Sequence, residues 1–167
     1  TVGGATANER NIISGNINDG VHLNGGDGNT IIGNYIGTDA TGAGKLGNGG
    51  QGVTLFNDAH QNVIGGTAAG QANVIAHNRN SGINVGWGNS IGNTISRNSI
   101  FGHTNPGIEN NGGGNTELSP PAITNVTATS VSGIAAMANI AIEIFSDDAD
   151  EGRIYEGTAT ADAGGEF

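Results

Sequence analysis

The densest group of acidic residues lies near the end of the chain, in the run Asp147-Asp148-Ala149-Asp150-Glu151-Gly152. Closely spaced carboxylates on a turn supply the oxygen ligands that Ca²⁺ requires, although this run lacks the spacing of an EF-hand loop. We therefore predict Asp147, Asp148 and Asp150 as a candidate calcium site. The alternative, which the sequence favours, is a solvated hairpin tip whose carboxylates face water.

Elsewhere, the residues that could do chemistry are widely spaced. Before residue 116 no two acids are closer than eight positions, so a catalytic pair could arise only if distant segments stack. Asp39, in the loop between Gly37 and Gly42, is either a calcium ligand or, as we favour, a turn residue. Trp87 is the only tryptophan; it could stack on a sugar ring, although a corner position that covers the core is favoured. We predict no catalytic residue.

The composition favours a chain that turns often. Glycine supplies 32 of the 167 residues, asparagine is also abundant, and cysteine is absent. Glycine and asparagine enter tight turns most readily, while the regular recurrence of Ile and Val argues against disorder. A net charge of −10 argues against nucleic acid and anionic membranes as partners. No stretch approaches the roughly 20 apolar residues of a membrane span.

Two short motifs recur in the first part of the chain. One is Asn-x-apolar-x-x-Asn, and the other is Gly-apolar-x-apolar. The first occurs at residues 11–16, 29–34, 73–78 and 93–98, and the second at 20–23, 52–55 and 82–85, with a weaker copy at 107–109. Residues 1–23 also align with residues 63–85 without a gap. Such internal self-similarity is typical of repeat architectures.

The period within each motif is two, which indicates short strands with one buried face. Spacings of 18 residues from Asn11 to Asn29 and 20 from Asn73 to Asn93 predict a coil of that length. Coils of short strands joined by tight corners form a parallel β-helix, here with four to five coils. We expect Ile and Val to stack inside, and the corner asparagines to pass amide hydrogen bonds from coil to coil.

Not every segment fits this register. The excursion from Gly37 to Gly50 predicts a projecting loop, and the segment from Val63 to Gly66 has no predicted place. The Gly-apolar-x-apolar strands predict one outward row, which we expect to face solvent: His22, Thr54, Asn84 and Glu109. This row lacks the two carboxylates that a glycosidase uses.

The runs Asn11-Ile12-Ile13-Ser14-Gly15-Asn16, Ile36-Gly37-Thr38-Asp39-Ala40-Thr41-Gly42 and Asn62-Val63-Ile64-Gly65-Gly66 resemble the right-handed parallel β-helix repeats of large bacterial surface proteins, in the broad pectate-lyase-like superfamily. The resemblance covers about residues 1–115. It implies a right-handed coil and a secreted, cell-surface setting. It implies no single function, because this fold carries lyases, hydrolases, epimerases, adhesins and scaffolds.

The composition changes near Pro120-Pro121, a stiff linker, which predicts a parallel β-helix at 1–118 and a second module at 119–167. Alternation in the second module indicates antiparallel strands with one wet face. The runs Val131-Ser132-Gly133 and Gly157–Asp162 resemble the start of bacterial immunoglobulin-like modules. The predicted fold class is therefore all-β: a right-handed parallel β-helix (solenoid) followed by a small, partial antiparallel β-sandwich.

These features favour an extracellular structural protein over an enzyme. Open β-helix ends expose unpaired backbone groups, and Thr1 begins inside a repeat without a polar cap. We therefore expect self-association into a surface polymer or filament, or contact with neighbouring domains of a longer chain, through the helix ends and the incomplete sandwich. The alternative is a carbohydrate-active or glycan-binding module with a polysaccharide partner. An ice-binding solenoid would need a flat threonine array, which the outward row lacks.

Overall fold

The structure, a computed structural model, describes residues 1–148 and 151–167. Its regular elements there are strands and two short 3₁₀ turns, Ala7–Glu9 and Gly114–Glu117. The strands are short because glycine or asparagine interrupts each apolar alternation after two to four residues. The first twelve are β1 (Val2–Gly3), β2 (Ile12–Ile13), β3 (Val21–Asn24), β4 (Thr30–Ile32), β5 (Tyr35–Ile36), β6 (Val53–Phe56), β7 (Val63–Gly65), β8 (Val74–Ala76), β9 (Ile83–Gly86), β10 (Thr94–Ser96), β11 (Ser99–Phe101) and β12 (Ile108–Asn111).

Every third strand belongs to the same sheet. The first sheet contains β1, β4, β7 and β10, the second β2, β5, β8 and β11, and the third β3, β6, β9 and β12. All pairings within these three sheets are parallel. The chain thus passes through the three sheets in turn four times, as in a β-helix-like solenoid of four coils. This confirms the prediction of stacked parallel strands, at the lower of the two expected coil numbers.

The coil is longer than the asparagine spacing predicted. Val2 pairs with Ile31, and Thr30 pairs with Val63, so one coil spans about 30 residues and the prediction of 18 to 20 was wrong. Asn11 and Asn29 mark two different corners of the same coil. The alignment of residues 1–23 with 63–85 joins segments two coils apart, since β1 and β7 flank β4. The unplaced segment that begins at Val63 is β7.

Asparagine ladders run along all three corners. At the buried rung Asn73, the side-chain amide donates to Asn98 Oδ1 at 2.8 Å and to the carbonyl of Ile31 at 2.8 Å. Its own Oδ1 accepts the backbone N–H of Asn34 at 2.9 Å and the Asn34 side-chain amide at 3.1 Å. The predicted role of the asparagines is confirmed. The rungs are Asn11, Asn34, Asn73 and Asn98; Asn16, Asn48 and Asn78; and Asn29, Asn62, Asn93 and Asn115.

The interior is a stack of aliphatic side chains, one row for each inward strand position. Ile31 and Ile64 lie on adjacent coils of the first sheet, and both are fully buried. The coils approach so closely that a side chain is excluded at some corners. At Gly37 the backbone has φ +89°, and a Cβ there would lie 2.0 Å from the carbonyl oxygen of Ala76. The other fully buried aliphatics of this core include Ile36, Val53, Leu55, Ile75, Ile83 and Val85.

The predicted projecting loop is present between the second and third sheets. Thr38 and Lys45 form an isolated antiparallel bridge at its base. Inside the loop, Asp39 Oδ1 accepts hydrogen bonds from Thr41 and from the Gly44 N–H. The Thr41 hydroxyl is the main cause of a lowered pKa at Asp39. Asp39 therefore acts as the turn residue that the sequence favoured.

The C-terminal part consists of two antiparallel hairpins, in agreement with the predicted change of strand type. They are formed by β13 (Ala122–Val126) with β14 (Val131–Ile134) and by β15 (Ala141–Ser146) with β16 (Ile154–Thr160). A small separate core holds them, made of Ala135, Ile142 and Ala161. The division into domains at residue 118 stays a prediction.

The β15–β16 hairpin covers part of the last coil. Three backbone N–H groups of that coil donate to it: Arg97 to Glu143 Oε2 at 2.9 Å, Ile100 to the carbonyl of Gly152 at 3.1 Å, and His103 to Glu151 Oε1 at 3.0 Å. An exposed strand edge presents such groups to other chains. The hairpin therefore caps these positions within the same chain.

His103 takes the place of a fourth asparagine in the second ladder. The pairing of Ile75 with Ile100 places His103 one coil beyond Asn78. Its Nδ1 lies 3.2 Å from the carbonyl oxygen of Phe101, and its side chain is fully buried. Burial, together with the nearby His77, lowers the pKa of His103 to about 4. The ring is therefore neutral at pH 7, and its contact with Glu151 is not an ion pair there.

We expect the ladders to contribute most where they are buried. Asn73→Ala leaves the buried polar groups of Ile31, Asn34 and Asn98 short of a partner, at roughly 1–3 kcal/mol per group. The free energy of unfolding, measured with urea, should fall by at least about 3 kcal/mol.

The matched control is Asn16→Ala, at the exposed first rung of its ladder. This change removes one side-chain donor and should lower the free energy of unfolding by less than about 1 kcal/mol. Equal losses in the two variants would contradict a role of the buried rungs in holding the coils together.

Candidate functional site on the outer face of the third sheet

The outer face of the third sheet carries the row of polar residues that the sequence predicts. His22 pairs with Thr54, Thr54 with Asn84, and Asn84 with Glu109. The neighbours of these residues along each strand point inward, because side chains alternate across a strand. One side chain per coil therefore stands in line along the outside of the stack.

The burial of this row differs from the prediction that it faces solvent. Thr54 and Asn84 are only 6 % and 7 % exposed, while His22 is exposed. Each of the two central residues contacts a carboxylate: Asp19 lies in the turn before β3, and Glu109 lies on β12. Thr54 touches Asp19 and Asn84 touches Glu109, which also holds Ser81.

The first of these contacts centres on Asp19. Its Oδ2 lies 2.9 Å from His22 Nδ1 and accepts the Thr54 hydroxyl at 2.8 Å, and its Oδ1 accepts the Gln51 N–H at 2.9 Å. Burial raises the pKa of Asp19, but the hydrogen bonds to the carboxylate, led by that of His22, outweigh it and lower the pKa. Asp19 is therefore a carboxylate at neutral pH.

The second contact centres on Glu109. Its Oε2 accepts the Ser81 hydroxyl at 2.6 Å and the Asn84 side-chain amide at 3.2 Å. Ser81 is fully buried. These bonds tie the third coil to the fourth, as those of Asp19 tie the first coil to the second.

Sequence reasoning missed the contacts of Asp19 and Ser81, and with them the carboxylate that Asp19 adds beside the row. Both residues lie two positions before their strand, so a search extended into the preceding turn would have found them. A general acid needs a carboxyl that keeps its proton near neutral pH, and the lowered pKa of Asp19 makes it unsuited to that role. The arrangement can accept and donate hydrogen bonds, as a binding face for hydroxyl groups would.

Aromatic residues lie at the end of the third sheet. Trp87 follows β9 directly and is 63 % exposed, so the favoured prediction that it covers the core was wrong. The backbone of Trp87 has φ +51°. Its backbone N–H donates to the carbonyl of Asn111 at 3.3 Å. Phe56 lies at the end of β6, with its ring centroid 6.2 Å from that of His22. Asn111 Oδ1 is buried without a hydrogen-bond partner.

Two of the three predicted calcium residues, Asp147 and Asp148, lie in the described part of the chain. Asp147 Oδ2 accepts the N–H groups of Gly152 at 2.7 Å and Glu151 at 3.2 Å, and Asp148 is exposed. Asp150 falls outside the described residues. Within the part of the chain that the structure describes, no group of three or more His, Cys, Asp or Glu side chains could hold a metal ion. The calcium site stays a prediction.

Comparison with known proteins found no match: no family model fits the chain, and no curated protein or solved structure is significantly similar to it. Among residues 1–148 and 151–167, no helix has the length and apolar character needed to cross a membrane.

The contacts of Asp19 predict a pH-dependent contribution to stability. Because its pKa is lower in the folded chain than in the unfolded chain, its contribution is complete above about pH 4 and is lost as the pH falls through the folded value. At pH 7, Asp19→Asn should lower the free energy of unfolding by roughly 1–3 kcal/mol, as expected for hydrogen bonds to a charged group.

Urea unfolding of wild type and variant from pH 7 down to pH 2.5 measures this difference. The gap between them should narrow below about pH 4. Glu166→Gln, at an exposed position, controls for the loss of one negative charge. A gap that stays constant over this pH range would contradict the assignment.

Proposed function

We propose that this chain is an extracellular structural protein, a β-helix segment of a surface or filament protein. The observation that carries the proposal is that polar side chains of the solenoid form hydrogen bonds from one coil to the next. The three asparagine ladders and the contacts of Asp19 and Glu109 hold the coils to each other. A stack held in this way is a stiff rod, which suits a structural role.

The proposal includes the handedness of the coil and the type of each module. A right-handed coil is supported by the strong preference of parallel strand connections for that hand. The sequence resemblance to bacterial surface β-helix repeats and immunoglobulin-like modules supports a secreted protein. The acidic net charge of −10 is in keeping with a surface that does not bind nucleic acid.

The contacts of the last coil bear on how such a protein would assemble. The β15–β16 hairpin already occupies the N–H groups of Arg97, Ile100 and His103, which argues against assembly through that end of the stack. The β13–β14 hairpin is a better candidate. All five residues of β13 are exposed, including Ile123 at 63 % and Val126 at 65 %. Exposed apolar strands favour pairing with a second copy.

This association can be tested by adding charge to β13. In the unchanged protein, light scattering and electron microscopy should show mass and ordered assemblies that increase with concentration. Lysines on an apolar edge strand oppose pairing, so the double variant Ile123→Lys/Val126→Lys should remain monomeric.

The control is Ile17→Lys/Leu46→Lys, which adds the same charge at exposed apolar residues of the solenoid and should assemble like the wild type. Dispersed monomers of the unchanged protein at all concentrations would exclude polymerisation. Assembly of the β13 variant would exclude this hairpin as the contact.

A second candidate function is glycan binding along the outer face of the third sheet. The exposure of Trp87 favours it, because a tryptophan left in solvent beside polar side chains offers a flat surface for a sugar ring. Glu109, half-buried on the neighbouring coil of that sheet, would accept hydrogen bonds from hydroxyl groups. A neutral polysaccharide is the ligand class that this face fits.

Calorimetric titration with neutral plant and bacterial oligosaccharides tests this candidate. Trp87→Ala should weaken binding about tenfold, since stacking contributes on the order of 1 kcal/mol, while Trp87→Phe should retain most of the affinity. Failure of the unchanged protein to bind any of these oligosaccharides would reject glycan binding at this face.

A further inference from the structure

A cavity at the corner between the second and third sheets is lined by basic side chains. It has a volume of about 380 Å³, and residues of three successive coils line it. Lys45 comes from the second coil, His77 and Arg79 from the third, and Thr104 from the fourth. Among the residues that the structure describes, no aspartate or glutamate lines this cavity.

The other basic residues have clear structural uses. The chain has only five lysines and arginines, and three of them stack on aromatic rings. Arg10 lies 4.1 Å from the ring centroid of Tyr35, Arg97 lies 4.7 Å from that of Tyr155, and Arg153 lies 4.4 Å from that of Phe101. Arg10 and Arg97 also donate to backbone carbonyls.

Lys45 and Arg79 have no such contacts. Among residues 1–148 and 151–167, neither side chain has a carboxylate within 4.0 Å, a ring beneath it or a hydrogen-bond acceptor. The chain has 15 acidic residues against five lysines and arginines, so ion pairing would have been easy to provide. The two unpaired cations instead lie in the same cavity.

The floor of the cavity is rigid. Asn48 and Asn78, two buried rungs of the second ladder, form part of it. Glycines bring the coils together beside them: a Cβ on Gly47 would lie 1.9 Å from the carbonyl oxygen of His77, and one on Gly102 would lie 2.6 Å from His77 Nδ1. A side chain at either position would clash with His77, so glycine is needed for the close approach of the coils beside the cavity.

We propose that this cavity binds a single anionic group, a carboxylate or a sulfate, on a small and otherwise uncharged ligand such as a sugar acid. Arg79 can hold both oxygens of such a group through its planar guanidinium, and Lys45 adds a second positive charge. Thr104 supplies a hydroxyl. The net charge of −10 repels polyanions, which restricts the ligand to one or a few charges. This site is independent of the proposed structural function.

The test is calorimetric titration of the full chain at low ionic strength with glucuronate, with glucose and with inorganic sulfate. Glucuronate should bind with a millimolar dissociation constant, and glucose should not bind. The double variant Lys45→Gln/Arg79→Gln should weaken binding by more than about tenfold, since both charges are lost. Added sodium chloride should weaken binding as well.

The matched control is Arg10→Gln, which removes a positive charge that is already stacked on Tyr35 and should leave binding unchanged. Circular dichroism checks that each variant is folded. Binding of glucuronate alone identifies a sugar acid, and binding of sulfate alone identifies a sulfate or sulfate ester; either result supports the site. The proposal is overturned if neither anion binds, if glucose binds equally well, or if the double variant binds like the wild type. None of these results affects the association assay, so the two proposals fail separately.

Discussion

The structure depends on one repeated interaction, the hydrogen bonding of an asparagine on one coil to the asparagine above it. The coils are held in parallel sheets of two to four residues per strand, which by themselves provide few hydrogen bonds. At a rung such as Asn73, one side chain satisfies backbone and side-chain groups of both neighbouring coils. Because these rungs are buried, loss of one leaves several polar groups without partners, and that penalty fixes the register of the stack.

Hydrogen bonds between side chains of neighbouring coils also occur on the outside of the stack. Asp19 and Glu109 carry charge on the outer face of the third sheet, and each uses it to join one coil to the next. These contacts stabilise the stack, and those of Asp19 also lower the pKa of its carboxyl group. Backbone N–H groups of the last coil also have partners, because the β15–β16 hairpin provides the acceptors that a further coil would otherwise supply.

Three side chains do not take part in these contacts between coils. Trp87 is exposed although it is the largest side chain of the protein, and Lys45 and Arg79 have no partner within residues 1–148 and 151–167, although the chain has an excess of acids. Leaving such groups in solvent contributes nothing to the solenoid. They are therefore the residues from which binding functions are proposed, one for neutral sugars and one for a small anion.

The sequence alone determined the all-β class, the parallel stacking, the ladder role of the asparagines and the outward row beginning at His22, because a period of two and a corner residue are local properties of the chain. It gave the wrong coil length, since every corner carries the same asparagine motif and local spacing cannot tell one corner from the next. Only the tertiary structure decided that Asp19 contacts the row, that Glu151 caps the last coil, and that Lys45 and Arg79 share a cavity. These pairs are set by which coils lie next to each other, and that depends on the whole path of the chain.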